Sequence, residues 1–107
     1  MNSRTNSDMM NLQINPVNFS ASDRLTEYLQ KKTEKLTTYF DRIVDVEVFL
    51  KLDTHQSVKD KTAEIKVNIP GNTLFASETS KTFEESADMA FESLRRQLLK
   101  AKEKMRK

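Results

Sequence analysis

The last third of the chain carries the feature that most restricts how the rest can fold. Phe83, Ala87, Ala90, Phe91, Leu94, Leu98, Ala101 and Met105 recur at spacings of three and four over six turns. That spacing predicts a long helix over residues 82–106, apolar along one side only. A stripe of that length must lie on an equally long apolar surface, and the preceding sequence supplies one. From Ile43 onward, Val44, Val46, Val48, Leu50 and Leu52 alternate with Asp45, Glu47, Phe49, Lys51 and Asp53, the clearest strand pattern in the chain. Ala63, Ile65, Val67 and Ile69 alternate with Thr62, Glu64, Lys66 and Asn68. Leu74 and Ala76 form a short further strand after the turn signal Pro70-Gly71-Asn72, which holds the only glycine. The polar run THQSVKDK separates the first two of these strands, and short links favour an antiparallel meander.

Two elements precede the meander. Met10, Leu12 and Ile14 alternate with Asn11, Gln13 and Asn15, predicting a strand whose reach in a central position Pro16 limits. Leu25, Leu29, Leu36 and Phe40 then share a helical face, with Tyr28 and Tyr39 at its margin, predicting a helix over about residues 22–40 with Ser20 as N-cap and Asp23 three residues on. The order is strand, helix, three strands, helix. An α+β fold of the form β-α-β-β-β-α follows, with both helices packed on one face of a four-stranded sheet, because that arrangement buries two apolar stripes against one apolar sheet face. A chain of 107 residues has room for one such core. Residues 1–9 are polar and without periodicity and are expected to be a disordered tail, with residues 10–107 a single domain.

Composition excludes several function classes. With no cysteine there is neither a disulfide nor a thiolate metal site. His55, the sole histidine, sits in a polar connection without a second His or Cys to share a metal, and is expected to be an inert surface residue. One glycine cannot build a glycine-rich phosphate loop, and nothing marks a serine partner for His55. Glu84, Glu85 and Asp88 read as anions at a helix N-terminus. No cofactor, metal, small-molecule substrate or catalytic constellation is expected; the chain does not read as an enzyme. It also lacks the apolar run of a secretory signal or membrane span, which points to the cytoplasm.

The formal net charge of +2 is modest, but its distribution is not. Residues 81–94 hold one basic against four acidic side chains, whereas residues 95–107 hold seven basic groups and only Glu103. On a wheel at about 100° per residue, Arg24, Lys31 and Lys35 fall within roughly 40° of one another. Arg42 joins them if the helix persists that far. The stripe is centred more than about 120° from the apolar face and points to solvent. A solvated helix with favourable pairs such as Glu27 with Lys31 accounts for that stripe taken alone. Arg95, Arg96, Lys100, Lys102 and Lys104, however, begin about three turns before the chain ends, and the dipole of a helix C-terminus favours cations only in its last turn. Two parallel helices on one sheet would join the two sets into one cationic plate, suited to a phosphate backbone. An acidic protein or an anionic membrane could also answer it, but insertion is excluded because the core uses both apolar faces. Phe49 and Phe75 are expected on the opposite sheet face. The acids Asp45, Glu47 and Glu64 share that face, so it reads as a modest exposed patch for self-association more than as a base-stacking surface. Leu99 falls outside the apolar stripe, among arginines.

These same stretches carry a resemblance. The run ASDRLTEYLQKKTEKLTTYFDRI, the opening MNLQI at residues 10–14 and the ending SLRRQLLKAKEKMRK resemble the ribosome hibernation promoting factor family, also known as sigma-factor modulation protein or ribosome-associated inhibitor. The blocks YFDRI (residues 39–43) and RRQLLKAKEK (residues 95–104) are the most specific, and the resemblance covers about residues 10–107. It implies a domain similar in outline to double-stranded-RNA-binding domains, with the small ribosomal subunit and its ribosomal RNA as partner. Near the decoding region it would obstruct the transfer-RNA and messenger-RNA sites in stationary phase or starvation. Family binding falls on basic residues of the two helices, here Arg24, Lys31, Lys35, Arg42, Arg95, Arg96, Lys100, Lys102 and Lys104. Because the sequence ends at the basic helix, the short form, without a ribosome-pairing C-terminal domain or an extended tail, is the expected match. The alternative is a protein-interaction module that regulates transcription or self-associates through its sheet.

Overall fold

The structure, a computed structural model, describes residues 11–53 and 60–105. The elements are β1 (Asn11–Val17), α1 (Asp23–Leu36), β2 (Asp45–Asp53), β3 (Asp60–Ile69), β4 (Asn72–Ser80) and α2 (Phe83–Met105). The sheet order is β1-β2-β3-β4, with β1 parallel to β2 and the other pairs antiparallel. The expected β-α-β-β-β-α architecture is what forms.

Register explains why one sheet face is apolar. Val46 lies opposite Val67, which lies opposite Leu74; Val48, Ile65 and Ala76 form the next row. All six side chains are buried, in one cluster with Leu25, Leu29, Leu36, Phe83, Phe91, Leu94 and Leu98 of the helices. Both helices therefore cover one face and leave the other open. At the edge, Leu12 and Ile14 of β1 are half-buried against this core. Pro16 is accommodated because β1 has a neighbour on one side only. Met10 lies outside the described residues.

The boundaries differ from the sequence expectation in ways that have physical causes. The N-cap of α1 is Ser22, whose hydroxyl accepts from the Leu25 N–H at 3.1 Å, not Ser20. Helix α1 stops at Leu36 instead of about residue 40, because the hydroxyls of Thr37 and Thr38 donate to the carbonyls of Glu34 and Lys35 and close the last turn. Phe40 is nonetheless buried, reached from the turn. Thr33, absent from the predicted apolar face, is buried within it and donates to the Leu29 carbonyl at 2.8 Å, so its hydroxyl is satisfied inside the helix.

At the ends of β2 the inward alternation fails. Val44 is 52% exposed and Leu52 39% exposed, while Ile43 is buried in the place expected for Val44. Strand pairing begins only at Asp45, so the residues before it are free of the two-residue period. Strand β3 starts at Asp60, taking in Asp60 and Lys61 of the expected polar connection; the rest of that connection, with His55, lies outside the described residues. Strand β4 is longer than Leu74 and Ala76 suggested, running nine residues to Ser80. Thr79 meets Thr62 across the strands at 2.7 Å, and Ser80 hydrogen-bonds the Thr82 carbonyl and the Ser86 hydroxyl. Polar cross-strand pairs extend β4 where no apolar period marks it. The turn between β3 and β4 places Gly71 at φ 76°, the left-handed region that glycine enters without strain.

Helix α2 keeps its predicted stripe from Phe83 to Ala101 and is capped by the Thr82 hydroxyl, which accepts from the Glu85 N–H; the Met105 side chain lies outside the described residues. Ser86, fully buried, joins the stripe by donating to the Lys61 carbonyl at 2.5 Å.

Candidate nucleic-acid interface

The relative placement of the helices follows from three contacts. Tyr28 and Lys32 of α1 both engage Asp88 of α2, the lysine at 2.6 Å. Tyr39, just past α1, has its ring 5.8 Å from the Arg95 guanidinium. Moving up α1 therefore means moving up α2, and the helices run parallel. They are not equal in length: α1 has 14 residues and α2 has 23, about 21 Å against about 34 Å at 1.5 Å per residue. Since Tyr39 is level with Arg95, the helix from Arg96 to Met105 overhangs the end of α1.

That stagger decides what the cations face. Arg24 and Lys31 share a groove with Glu27, Tyr28 and Glu84, so these two lie beside acids. Lys35 lies in a second groove between the helices, together with Tyr39, Glu92 and Arg95. Arg42 is exposed in the chain between α1 and β2; the helix does not reach it, so it does not extend the helical stripe. Arg96, Lys100, Lys102 and Lys104 are exposed on the overhang. The expected single plate is thus divided: Lys35 meets Arg95 where the C-terminal half of α2 begins, and Arg24 and Lys31 lie apart along α1. Glu27 and Lys31 are not an ion pair among the described residues.

Between the helices, charge is paired. Burial pushes the Asp88 carboxyl up, but hydrogen bonds from Lys32 and Tyr28 outweigh it and hold the group below its ordinary value. Burial, then the hydrogen bond to Asp88, pushes the Tyr28 hydroxyl up to about 12. Asp88 is therefore an interhelical ion-pair partner, not the N-terminal dipole anion that the sequence suggested; Glu84 and Glu85 remain in the first turn. Glu92 accepts from the Nε of Arg95 at 3.1 Å and from its Nη2, and lies 3.6 Å from Arg96 Nη1. The Arg95 hydrogen bond holds the Glu92 carboxyl below its ordinary value. Sequence reasoning missed Lys32, Tyr28, Tyr39 and Glu92 as partners; the 3- and 4-residue spacing of Glu92 to the two arginines was the available signal.

On the open sheet face, Phe75 is 51% exposed and Phe49 half-buried. Glu47 and Glu64 there are paired with Lys66 at 3.8 Å and Lys51 at 3.1 Å. Leu99 is 38% exposed, off the apolar stripe as expected. Among the described residues no cluster of His, Cys, Asp or Glu is arranged to hold a metal, and no helix is long and apolar enough to cross a membrane.

A profile of the family described as Sigma 54 modulation protein / S30EA ribosomal protein matches residues 12–106. The chain belongs to that family. Among curated relatives, the ribosome hibernation promoting factor of Escherichia coli K12 is 32% identical over 97 residues, covering 91% of this chain and 98% of that protein. The ribosome hibernation promotion factor of Deinococcus radiodurans is 30% identical over 91 residues, covering 84% of this chain but 48% of that protein. This member of the family thus spans about half the length of some curated relatives and nearly all of others. In structure, a ribosomal subunit interface protein from Coxiella burnetii superposes with a TM-score of 0.78 at 24% identity, covering 87% of this chain and 98% of that one, and shares the fold. The N-terminal domain of Thermus thermophilus Protein Y gives a TM-score of 0.75 at 27% identity, covering 85% and 98%.

Proposed function

We propose that the protein is a ribosome-bound hibernation factor, acting by occupancy with no bond made or broken. Its ligand is the ribosomal RNA of the small subunit at the decoding region, where its bulk would exclude transfer RNA and messenger RNA during stationary phase in the cytoplasm. The observation that carries this reading is the overhang of α2. Arg96, Lys100, Lys102 and Lys104 are solvent-facing and have no carboxylate partner among the described residues other than Glu92, beyond the end of the helix that could have neutralised them. Unneutralised cations on a rigid rod suit a phosphate backbone, whose counterions they release on binding. The names carried by relatives in Escherichia coli and Deinococcus radiodurans support the ribosome as the source of that RNA. The binding set is Arg24, Lys31, Lys35, Arg42, Arg95, Arg96, Lys100, Lys102 and Lys104, carried by residues 10–107 as one unit.

Sedimentation of stationary-phase lysate through sucrose tests this. Co-migration with the small subunit or whole ribosome, lost as salt rises, is expected. Protein remaining at the top of the gradient at every salt concentration would favour the second reading, a self-associating or protein-binding module, for which exposed Phe75 on the open sheet face is the supporting observation.

A further inference from the structure

One carboxylate sits where the proposed ligand needs to be. Glu92 is half exposed on α2, and a single oxygen of it takes both Arg95 bonds and lies nearest Arg96. Spacings of three and four residues make these contacts intrinsic to the helix. Arg95 is held from a second side by the Tyr39 ring, so its guanidinium stays at the mouth of the interhelical groove whichever anion it meets. Lys35 lines the same groove and has no ion pair among the described residues. The neighbouring Lys32 is already matched by Asp88. Without the Glu92 carboxylate, Lys35 and Arg95 line the groove and Arg96 stands within reach of the vacated oxygen's place, with a planar fork that fits a phosphate by two parallel bonds.

We propose that Glu92 gates a phosphate seat in this groove, holding Arg95 and Arg96 in the free protein and yielding them to a backbone phosphate of RNA. The inference rests on the RNA-binding reading and adds a self-competing anion to it. The carboxylate lowers affinity for any isolated phosphate and steepens the preference for a ligand that delivers several at once. Only a multivalent backbone offsets the cost of breaking the internal pairs.

The test uses the full chain and purified small subunits, with a short mixed-sequence RNA duplex as a second probe, across a range of salt. Glu92→Gln is expected to bind about two- to tenfold tighter at low salt, because exposed pairs are individually weak. Its salt slope should stay within about one unit of the parent's, because Arg95 and Arg96 reach the same phosphates in both bound states. Glu85→Gln is the control, since it removes the same charge from an exposed position of the same helix that contacts neither arginine. Equal gains in the two variants would overturn the gate and reduce the effect to net charge. In a background carrying Arg95→Gln and Arg96→Gln, Glu92→Gln should gain nothing; a full gain there also overturns it. If the unmodified protein binds and Glu92→Gln matches it in affinity, RNA binding stands and the gate falls. Should the unmodified protein bind neither probe at any salt, both fall. Thermal melts of each variant confirm that the fold is intact.

Discussion

The two halves of α2 are the same helix with opposite fates. The N-terminal half carries acids that are used inside the molecule: Asp88 is shared by Lys32 and Tyr28, and Glu84 borders the groove that holds Arg24. The C-terminal half carries cations that look outward, because α1 has ended. What differs is not the apolar stripe, which runs through Phe83, Ala87, Ala90, Phe91, Leu94 and Leu98 without a break, but what lies alongside. Where a neighbouring helix exists, charge is matched and serves packing. Where it stops, charge is free for a partner.

The sharpest break of that contrast is in the stripe itself. Leu94, fully buried near the division between the halves, should cost about 2–5 kcal/mol when truncated to alanine, by lost burial and the cavity left behind. Lys102→Glu and Lys104→Glu, about two and three turns further on, should stay within about 0.5 kcal/mol of the parent. Chemical denaturation with constant m-value measures both. A large loss from the lysine variants would show that the overhang is packed, not free.

Next in size is binding. Reversing Lys31, Lys35, Arg96 and Lys100 to glutamate together should reduce ribosome binding by about a hundredfold or more while the melting curve holds, since several phosphates are involved. Splitting the set sharpens the comparison. Arg96→Glu with Lys100→Glu should flatten the salt slope by about two, at roughly 0.9 per phosphate. Arg24→Glu with Lys31→Glu should flatten it by less than one, because Glu27 and Glu84 already compensate that groove. Equal losses would restore the continuous plate across both helices that the wheel suggested.

How far the sequence foretold this follows from what each signal measures. Hydrophobic period is a property of one element, and it located all six and the buried face, but it did not say that β1 pairs in parallel with β2. It did not locate their ends. Thr37 and Thr38 stop α1 by local hydrogen bonds that carry no periodic signature, and β4 runs past Ala76 on Thr79 and Ser80, whose partners are Thr62 on β3 and Ser86 on α2. The basic residues were legible as a composition, and their exposure followed from the wheel. Their grouping was not, because it depends on the offset between two helices. That offset is set by Lys32 with Asp88 and Tyr39 with Arg95, pairs 56 residues apart in the sequence.

The interhelical pair itself gives the third test. With side chains 33% and 48% exposed, Lys32–Asp88 is worth no more than a surface pair, so Asp88→Asn should cost about 0.2–1 kcal/mol. Because folding lowers the Asp88 pKa, its contribution is present above the unfolded value near 3.8 and is lost as pH falls through the folded one. The stability difference between parent and variant should therefore vanish in acid, and a difference persisting at pH 2 would mean that the variant has been repacked.

The smallest effect is the most local. Tyr28 has its hydroxyl pushed up to about 12, by burial first and by the hydrogen bond to Asp88 second. A phenol whose folded pKa exceeds the unfolded value near 10 stabilises the fold below that value, and this stabilisation is lost as pH rises toward 12. Ultraviolet titration of a Tyr39→Phe variant isolates Tyr28. In that background Asp88→Asn should lower the midpoint only part of the way toward 10, because burial, the larger cause, survives the substitution. A midpoint that drops to the ordinary value would mean that Asp88 alone holds Tyr28 in place, and that the matched half of α2 is closed by one carboxylate instead of by packing. A midpoint that does not move would mean that the tyrosine hydroxyl and the carboxylate are not engaged in solution, and the parallel register drawn from their contact would then rest on Lys32 and Arg95 alone.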